Sequence, residues 1–186
     1  RATDRIDVPG DVSSQFLTAL MLIGPYVPGG LRISITSSLV SRPYVQITKA
    51  VMAHFGHDAV TIDERTIEIE AGRYRGREYD IEPDASSASY PLAAAAICGG
   101  RVEVPGLTEG SMQGDAAFCD VLAMMGCTSN RDRHSTTVES DAALSGIDID
   151  MVALSDLVPT LAAVAVFADS PTRIRGVGFI RAKESD

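Results

Sequence analysis

One kind of helix opening recurs three times in this chain, and that recurrence limits the folds open to it. Gly10-Asp11-Val12-Ser13-Ser14-Gln15-Phe16-Leu17 places polar residues able to cap a helix before an apolar run through Met21, Leu22 and Ile23. Asp84-Ala85-Ser86-Ser87-Ala88-Ser89-Tyr90-Pro91-Leu92 opens a second helix, and Ser155-Asp156-Leu157-Val158-Pro159-Thr160-Leu161 a third. The three aspartates stand 73 and 72 residues apart. Later landmarks keep nearly the same period, Ser41 to Ser111 and Gly56 to Gly126 each being 70 apart. The spacing predicts an internal repeat. Its period is too long for a solenoid and fits a few supersecondary units packed around shared helices.

Taken in order, residues 6–8 read as a short strand that Pro9-Gly10 turns into a helix over about 13–25. Residues 31–35 alternate as a strand does, and a polar loop of Thr36, Ser37 and Ser38 leads to a second helix at Ser41-Arg42-Pro43-Tyr44. Gly56 closes that helix as its C-cap. Strands over 59–62 and 66–69 follow, turned by Asp63-Glu64-Arg65, so the unit reads β-α-β-α-β-β. Residues 72–78 are a charged loop and 79–82 are extended, and Pro83 breaks the chain before the next capped helix. This predicts two domains, 1–82 and 83–186, with the hinge at Glu82-Pro83. The second contains a helix over 86–98, a strand over 101–104, a helix over about 115–125 and strands near 128 and over 136–139. A strand at 147–150, the helix opened by Asp156 and a strand over 172–177 begin a further unit.

The formal net charge of −9 excludes general binding to nucleic acid or anionic membranes, which needs a basic surface. A phosphate-bearing ligand would therefore need locally focused cations. Cys98, Cys119 and Cys127 lie in apolar segments without metal-ligand spacing, and they read as reduced, buried thiols of a cytoplasmic protein. His54 and His57 flank a helix end, His134 lies in a polar turn, and no metal site is expected from them. No stretch reads as a secretory signal, and the longest apolar run, 157–168, is too short to span a bilayer.

Six ordered segments together resemble the 5-enolpyruvylshikimate-3-phosphate (EPSP) synthase family. They are Gly10 to Leu17, Ser41-Arg42-Pro43-Tyr44, Asp84 to Tyr90, and Ser111-Met112-Gln113-Gly114-Asp115. Asp156 with Pro159-Thr160-Leu161 and Arg181-Ala182-Lys183-Glu184-Ser185-Asp186 complete the set. The resemblance implies an α/β fold of repeated β-α-β-α-β-β units, an inside-out α/β barrel, incomplete here because family enzymes have six such units in two domains. It implies one unit of the shikimate 3-phosphate-binding domain in 1–82 and about one and a half units of the second domain in 83–186. The expected substrates are shikimate 3-phosphate and phosphoenolpyruvate, and no cofactor or metal is implied. The expected partner is the remainder of the enzyme chain, whose basic groups would hold much of the phosphoenolpyruvate.

Enolpyruvyl transfer needs an acid to protonate the methylene carbon of phosphoenolpyruvate and a base to assist the attacking hydroxyl, which neighbouring carboxylates and a lysine can supply. By resemblance, Asp156 is the group bonded to that hydroxyl, although its place at a helix start reads equally as a cap. Glu184 is expected as proton donor and acceptor, with Lys183 as a charge contact; without the resemblance they would be a solvated surface pair. By the same resemblance the Ser13 and Ser14 hydroxyls are expected to hold the substrate phosphate from a helix N-terminus and Gln15 to reach toward both substrates, with Ser41 and Tyr44 completing the phosphate and ring contacts and Arg42 as a nearby charge. Asp84, Ser86 and Ser87 share the pattern but sit at the hinge and read as structural.

Two alternatives stand beside this one. The related transferase acting on UDP-N-acetylglucosamine would share the fold, but Gln15 after Ser13-Ser14, and Lys183-Glu184, favour the shikimate branch. A non-catalytic binding or assembly module would use the aspartates only as caps. An incomplete unit with open strand edges is also expected to be able to form a homodimer.

Overall fold

A computed structural model describes residues 4–11, 13–39 and 42–182 of the chain. The residues fall into two compact units that meet in sequence between Tyr79 and Asp80. The first follows the β-α-β-α-β-β order. Strand β1 (Asp4–Val8) is followed by helix α1 (Ser14–Ile23), β2 (Leu31–Ile35), α2 (Arg42–His54), β3 (Val60–Ile62) and β4 (Thr66–Ile69). The sheet order is β1-β2-β4-β3, with β1 parallel to β2 and the other pairs antiparallel. Strand period explains its core: Leu31, Ile33 and Ile35 alternate to one face of β2 and are buried with Ile67 and Ile69 of β4. Leu17 and Met21 of α1 and Val45 and Met52 of α2 cover that face. Each such apolar side chain contributes about 1.5–3 kcal/mol on burial. The opposite face keeps its polar residues, and Arg32 pairs with Glu68 across β2 and β4 at 2.8 Å.

Gly56 ends α2 with φ +86°, a conformation that favours glycine, and its N–H bonds the Ala53 carbonyl at 2.9 Å. Gly126 repeats the device at φ +109°, donating to Ala123 at 3.0 Å after helix α4 (Phe118–Met124) of the second unit.

The second unit starts with α3 (Ala85–Cys98) and β5 (Gly100–Pro105), and continues through α4 to β6 (Thr128–Arg131) and β7 (Ser135–Ser140). The antiparallel sheet β5-β7-β6 has the strand order and sense of β2-β4-β3. A parallel pair, β8 (Asp148–Asp150) and β9 (Arg173–Arg175), flanks α5 (Val158–Ala165), as β1 and β2 flank α1. Arg175 Nε donates to Asp148 Oδ1 across that pair at 2.6 Å. Phe118, Leu122, Met125, Leu157, Leu161 and Val164 form the centre of this unit's core.

Two local expectations are corrected. The helix expected over about 115–125 is split into a 3-10 turn, Gly114–Ala117, and α4. Cys119 and Cys127 are buried, but Cys98 is exposed, because it ends α3 on the outward stripe with Ser87, Tyr90, Pro91 and Ala94. Of the residues able to cap α1, Ser13 is the N-cap, and its hydroxyl accepts from Gln15 N at 3.2 Å. Among the described residues, no helix is long and apolar enough to cross a membrane.

Candidate functional site

Parallel strands followed by helices put both helix N-termini at one edge of the sheet, the edge at which open α/β sheets bind ligands. In the first unit the ladder of β1 and β2 ends at Val8 opposite Ile35, and Thr36 N continues it to Val8 O at 3.0 Å. Helices α1 and α2 therefore start side by side, and α1 carries three of the candidates. Ser13 is half-buried at the N-cap, Ser14 is buried at 6% exposure in the first turn, and Gln15 is exposed. Tyr44 stands exposed in the first turn of α2, just after Arg42. Ser41 lies outside the described residues.

Hydrogen bonds fasten these two starts together. Ser37 Oγ donates to Asp11 Oδ1 at 2.7 Å and accepts from the backbone N–H groups of Gly10, at 2.9 Å, and Asp11, at 3.2 Å. One turn further along, the Thr18 and Thr48 hydroxyls meet at 3.0 Å, and Thr48 Oγ1 also donates to the Tyr44 carbonyl at 2.8 Å. The sequence marked Ser37 only as a polar loop residue; its partner is 26 positions away and no local pattern points to it.

In the second unit Asp156 is exposed on a cleft of about 610 Å³. Tyr90, Ala93, Ala94 and Ile97 of α3 form one wall, and Pro159, Thr160 and Ala163 of α5 another. Ser155 and Asp156 sit at the cleft with Ile180, which follows β9. Asp156 and the segment after β9 thus share the carboxyl edge of a parallel pair, as the candidates of the first unit do. Asp156 is not at the helix N-cap, contrary to expectation. It lies in a 3-10 segment, Val152–Leu157, and Leu157 is the N-cap of α5 without a capping side-chain bond. Pro159 explains the shift, since a proline without an N–H fits the first helical turn and sets the α-helix to begin at Val158. Lys183 and Glu184 lie outside the described residues.

None of the cleft's described lining residues is cationic, and most are small and apolar. Asp156 can accept a proton there, but these walls cannot neutralise a phosphate. A second cavity, of about 490 Å³, lies at the other end of the first unit's strands beside Arg32 and Glu68 and contains none of the candidates. No group of three or more metal-ligating side chains occurs among the described residues.

The start of α3 is occupied by internal bonds. Asp84 is its N-cap, accepting from Ser86 N at 2.9 Å and from the Ser87 hydroxyl at 2.8 Å. The Ser87 hydroxyl, followed by nearby backbone N–H groups, holds the Asp84 carboxyl below the usual carboxylate range. Ser86 Oγ donates to the buried carboxylate of Asp115. Gln113 clamps the same turn, its Nε2 donating to Pro83 O and its Oε1 accepting from Ala85 N, both at 2.8 Å. Sequence reasoning assigned no role to Gln113 or Asp115, although both fall in a segment that carries the resemblance.

This order of strands and helices is the fold of the enolpyruvyl transferases. EPSP synthase of Acinetobacter baumannii superposes over 99% of this chain and 42% of its own, with a TM-score of 0.76 at 22% identity. The enolpyruvyl transferase NikO of Streptomyces tendae superposes over 94% of this chain and 44% of its own, with a TM-score of 0.69 at 20% identity. The profile of the EPSP synthase family (3-phosphoshikimate 1-carboxyvinyltransferase) matches residues 1–186, and the chain belongs to that family. The 3-phosphoshikimate 1-carboxyvinyltransferase of Methanosphaerula palustris is 46% identical over 177 residues, covering 95% of this chain and 42% of the relative. That of a Nostoc species is 48% identical over 175 residues, covering 94% and 41%. The chain thus spans about two fifths of the length of these curated relatives.

Proposed function

We propose that this chain is part of an enzyme that transfers the enolpyruvyl group of phosphoenolpyruvate to shikimate 3-phosphate with release of phosphate, in aromatic amino acid biosynthesis. The observation that carries the reading is Asp156, in a chain of this family, exposed at a cleft on the carboxyl edge of β8 and β9. Asp156 takes the proton of the attacking hydroxyl. Glu184 exchanges the proton at the methylene carbon, and Lys183 offsets the negative charge of the substrates. Ser13 and Ser14 hold the phosphate of shikimate 3-phosphate at the start of α1 and Gln15 reaches toward both substrates, with Ser41 and Tyr44 contributing from the start of α2.

The repeated strand order of the two units supports an internal repeat, with residues 1–82 serving the shikimate 3-phosphate side and 83–186 belonging to the second domain. Among the described residues that line the cleft none is cationic, which supports a requirement for basic residues from the rest of the enzyme beside Lys183, so the 186-residue chain alone turns over negligibly. The protein works in the cytoplasm. The exposed apolar stripe of Phe16, Ala19 and Ile23 on α1 supports self-association when the rest of the enzyme is absent, and a clean monomer in sedimentation would oppose that.

A phosphate-release assay tests the reaction. A chain of the relatives' full length carrying this segment is expected to release phosphate from phosphoenolpyruvate only when shikimate 3-phosphate is present. The 186-residue chain is expected to do so only with its complementary segments. An inactive full-length chain would refute the reaction, and robust turnover by the short chain alone would refute its dependence on the rest.

A further inference from the structure

We propose that Asp11 and Ser37 are positioning residues that hold the starts of α1 and α2 in register as one phosphate cradle. The inference rests on the phosphate-binding reading above. Ser37 joins the turn after β1 to the loop after β2, which are the two segments that lead into the candidate residues. A serine hydroxyl has one proton to donate and two lone pairs to accept with. Ser37 commits all three, its proton to Asp11 Oδ1 and its lone pairs to the N–H groups of Gly10 and Asp11. It has no capacity left for a ligand, so it acts on binding through what it fastens.

The backbone fits the same role. Gly10 is buried so closely against the end of β2 and the loop after it that a Cβ there would stand 2.7 Å from Ile35 Cγ2, 3.0 Å from Ser38 O and 3.1 Å from Leu39 Cα. The backbone of the turn therefore lies directly against the backbone of the loop at Ser38 and Leu39, and the Ser37 bonds set how the two slide past each other. Farther along the helices the Thr18–Thr48 contact sets the spacing of α1 and α2. The two fastenings bracket the first turns that carry Ser13, Gln15 and Tyr44. Without the Ser37 node the N–H groups of Gly10 and Asp11 lose their acceptor, and the two starts are free to shift. A phosphate bridging them then loses alignment with one of the two.

Asp11 accepts a hydrogen bond at this node, a task an asparagine Oδ1 can perform as well. Its negative charge is not needed for fastening and lies on the unhelpful side for binding a phosphate. This separates fastening from electrostatics experimentally.

The test uses a chain of the relatives' full length with Ser37→Ala, Asp11→Ala and Asp11→Asn. Calorimetry with shikimate 3-phosphate and with phosphate-free shikimate is combined with steady-state kinetics and thermal melts. Ser37→Ala and Asp11→Ala are expected to raise Kd and KM for the phosphate ester about tenfold, the scale of one misaligned hydrogen bond to a charged group. Saturated kcat should stay within about twofold, and shikimate should bind as it does to the wild type. Asp11→Asn should bind the ester at least as well as the wild type.

Unchanged ester affinity in Ser37→Ala and Asp11→Ala overturns the proposal. So does an equal loss for shikimate, a loss in Asp11→Asn matching that of Asp11→Ala, or a failure of both alanine variants to fold. A wild-type chain that does not bind the ester overturns the phosphate-binding reading and this proposal together. A wild type that binds it beside unaffected variants overturns this proposal alone.

Discussion

The starts of α1 and α3 are written almost alike, as Asp11-Val12-Ser13-Ser14 and Asp84-Ala85-Ser86-Ser87, yet they use their side chains differently. At α3 the aspartate caps the helix, Ser87 donates to it, and Ser86 donates to buried Asp115. All three side chains are engaged within the unit. At α1 the aspartate reaches across to Ser37, and the capping falls to Ser13. Among the described residues the Ser13 hydroxyl accepts one N–H and donates to none, and the Gln15 side chain beside it is exposed. One helix start has closed its polar groups on itself; the other keeps a donor and an amide at the surface. The third aspartate, Asp156, differs again, lying in a 3-10 turn at an open cleft. A shared motif therefore marks a place in the fold and leaves the chemistry to the neighbours.

The sharpest break between these sites is expected from replacing the aspartates one at a time. In a chain of the relatives' full length, Asp156→Ala should lower kcat about 10²–10⁴-fold, the range for losing a general base, with little change in melting temperature because the side chain is exposed. If the loss appears in stability and not in turnover, Asp156 is a structural residue like Asp84.

Ser86→Ala should cost about 1–3 kcal/mol of stability in a denaturant titration, because the buried Asp115 carboxylate loses a donor. Ser13→Ala removes only a cap and should cost about 1 kcal/mol, while weakening the binding of shikimate 3-phosphate. Equal costs at the two positions, with no binding change at Ser13, would erase the distinction between the helix starts.

A smaller effect is expected from acid. The Asp84 carboxyl is held below its ordinary value by the Ser87 hydroxyl, so its folded-state pKa is depressed. The stabilisation is then full above the unfolded-state pKa and is lost as pH falls through the lower folded-state value. Below about pH 4, near the unperturbed Asp value, Asp84→Asn should lose less stability per pH step than the wild type. Melts followed by circular dichroism across that range would measure it, and parallel curves would contradict the assignment.

The least perturbing probe leaves the sequence unchanged. Burial, followed by the nearby Asp120 charge, pushes the Cys119 thiol up to about 11, and burial raises Cys127 as well. Cys98 alone is exposed. Under native conditions at neutral pH, one of the three thiols should react with a thiol-specific reagent, and all three after denaturation. Fast labelling of two or three in the native protein would contradict the packing of the second unit.

Strand alternation, the glycine stops at 56 and 126, and the polar residues ahead of each apolar run were enough to place nearly every element. Those signals arise within a few neighbouring residues and survive any tertiary setting. The pattern marked the start of α1 as a seat for an anion, while the resemblance pointed to the start of α2 and to Asp156. What escaped was every assignment made by a distant partner. Ser37 engages Asp11, Gln113 clamps Pro83 and Ala85, and Asp115 takes the Ser86 hydroxyl. Cys98 was misjudged because α3, apolar nearly all round, does not reveal which of its faces is covered.

By itself, the sequence determined the elements, their order and the family, since each rests on local pattern or on residues in fixed succession. Only the tertiary structure decided which of three similar aspartates caps, which fastens and which lies exposed on the lining of a cleft. A carboxylate's role is set by the donors that reach it, and in this chain the donor to Asp11 comes from 26 residues away.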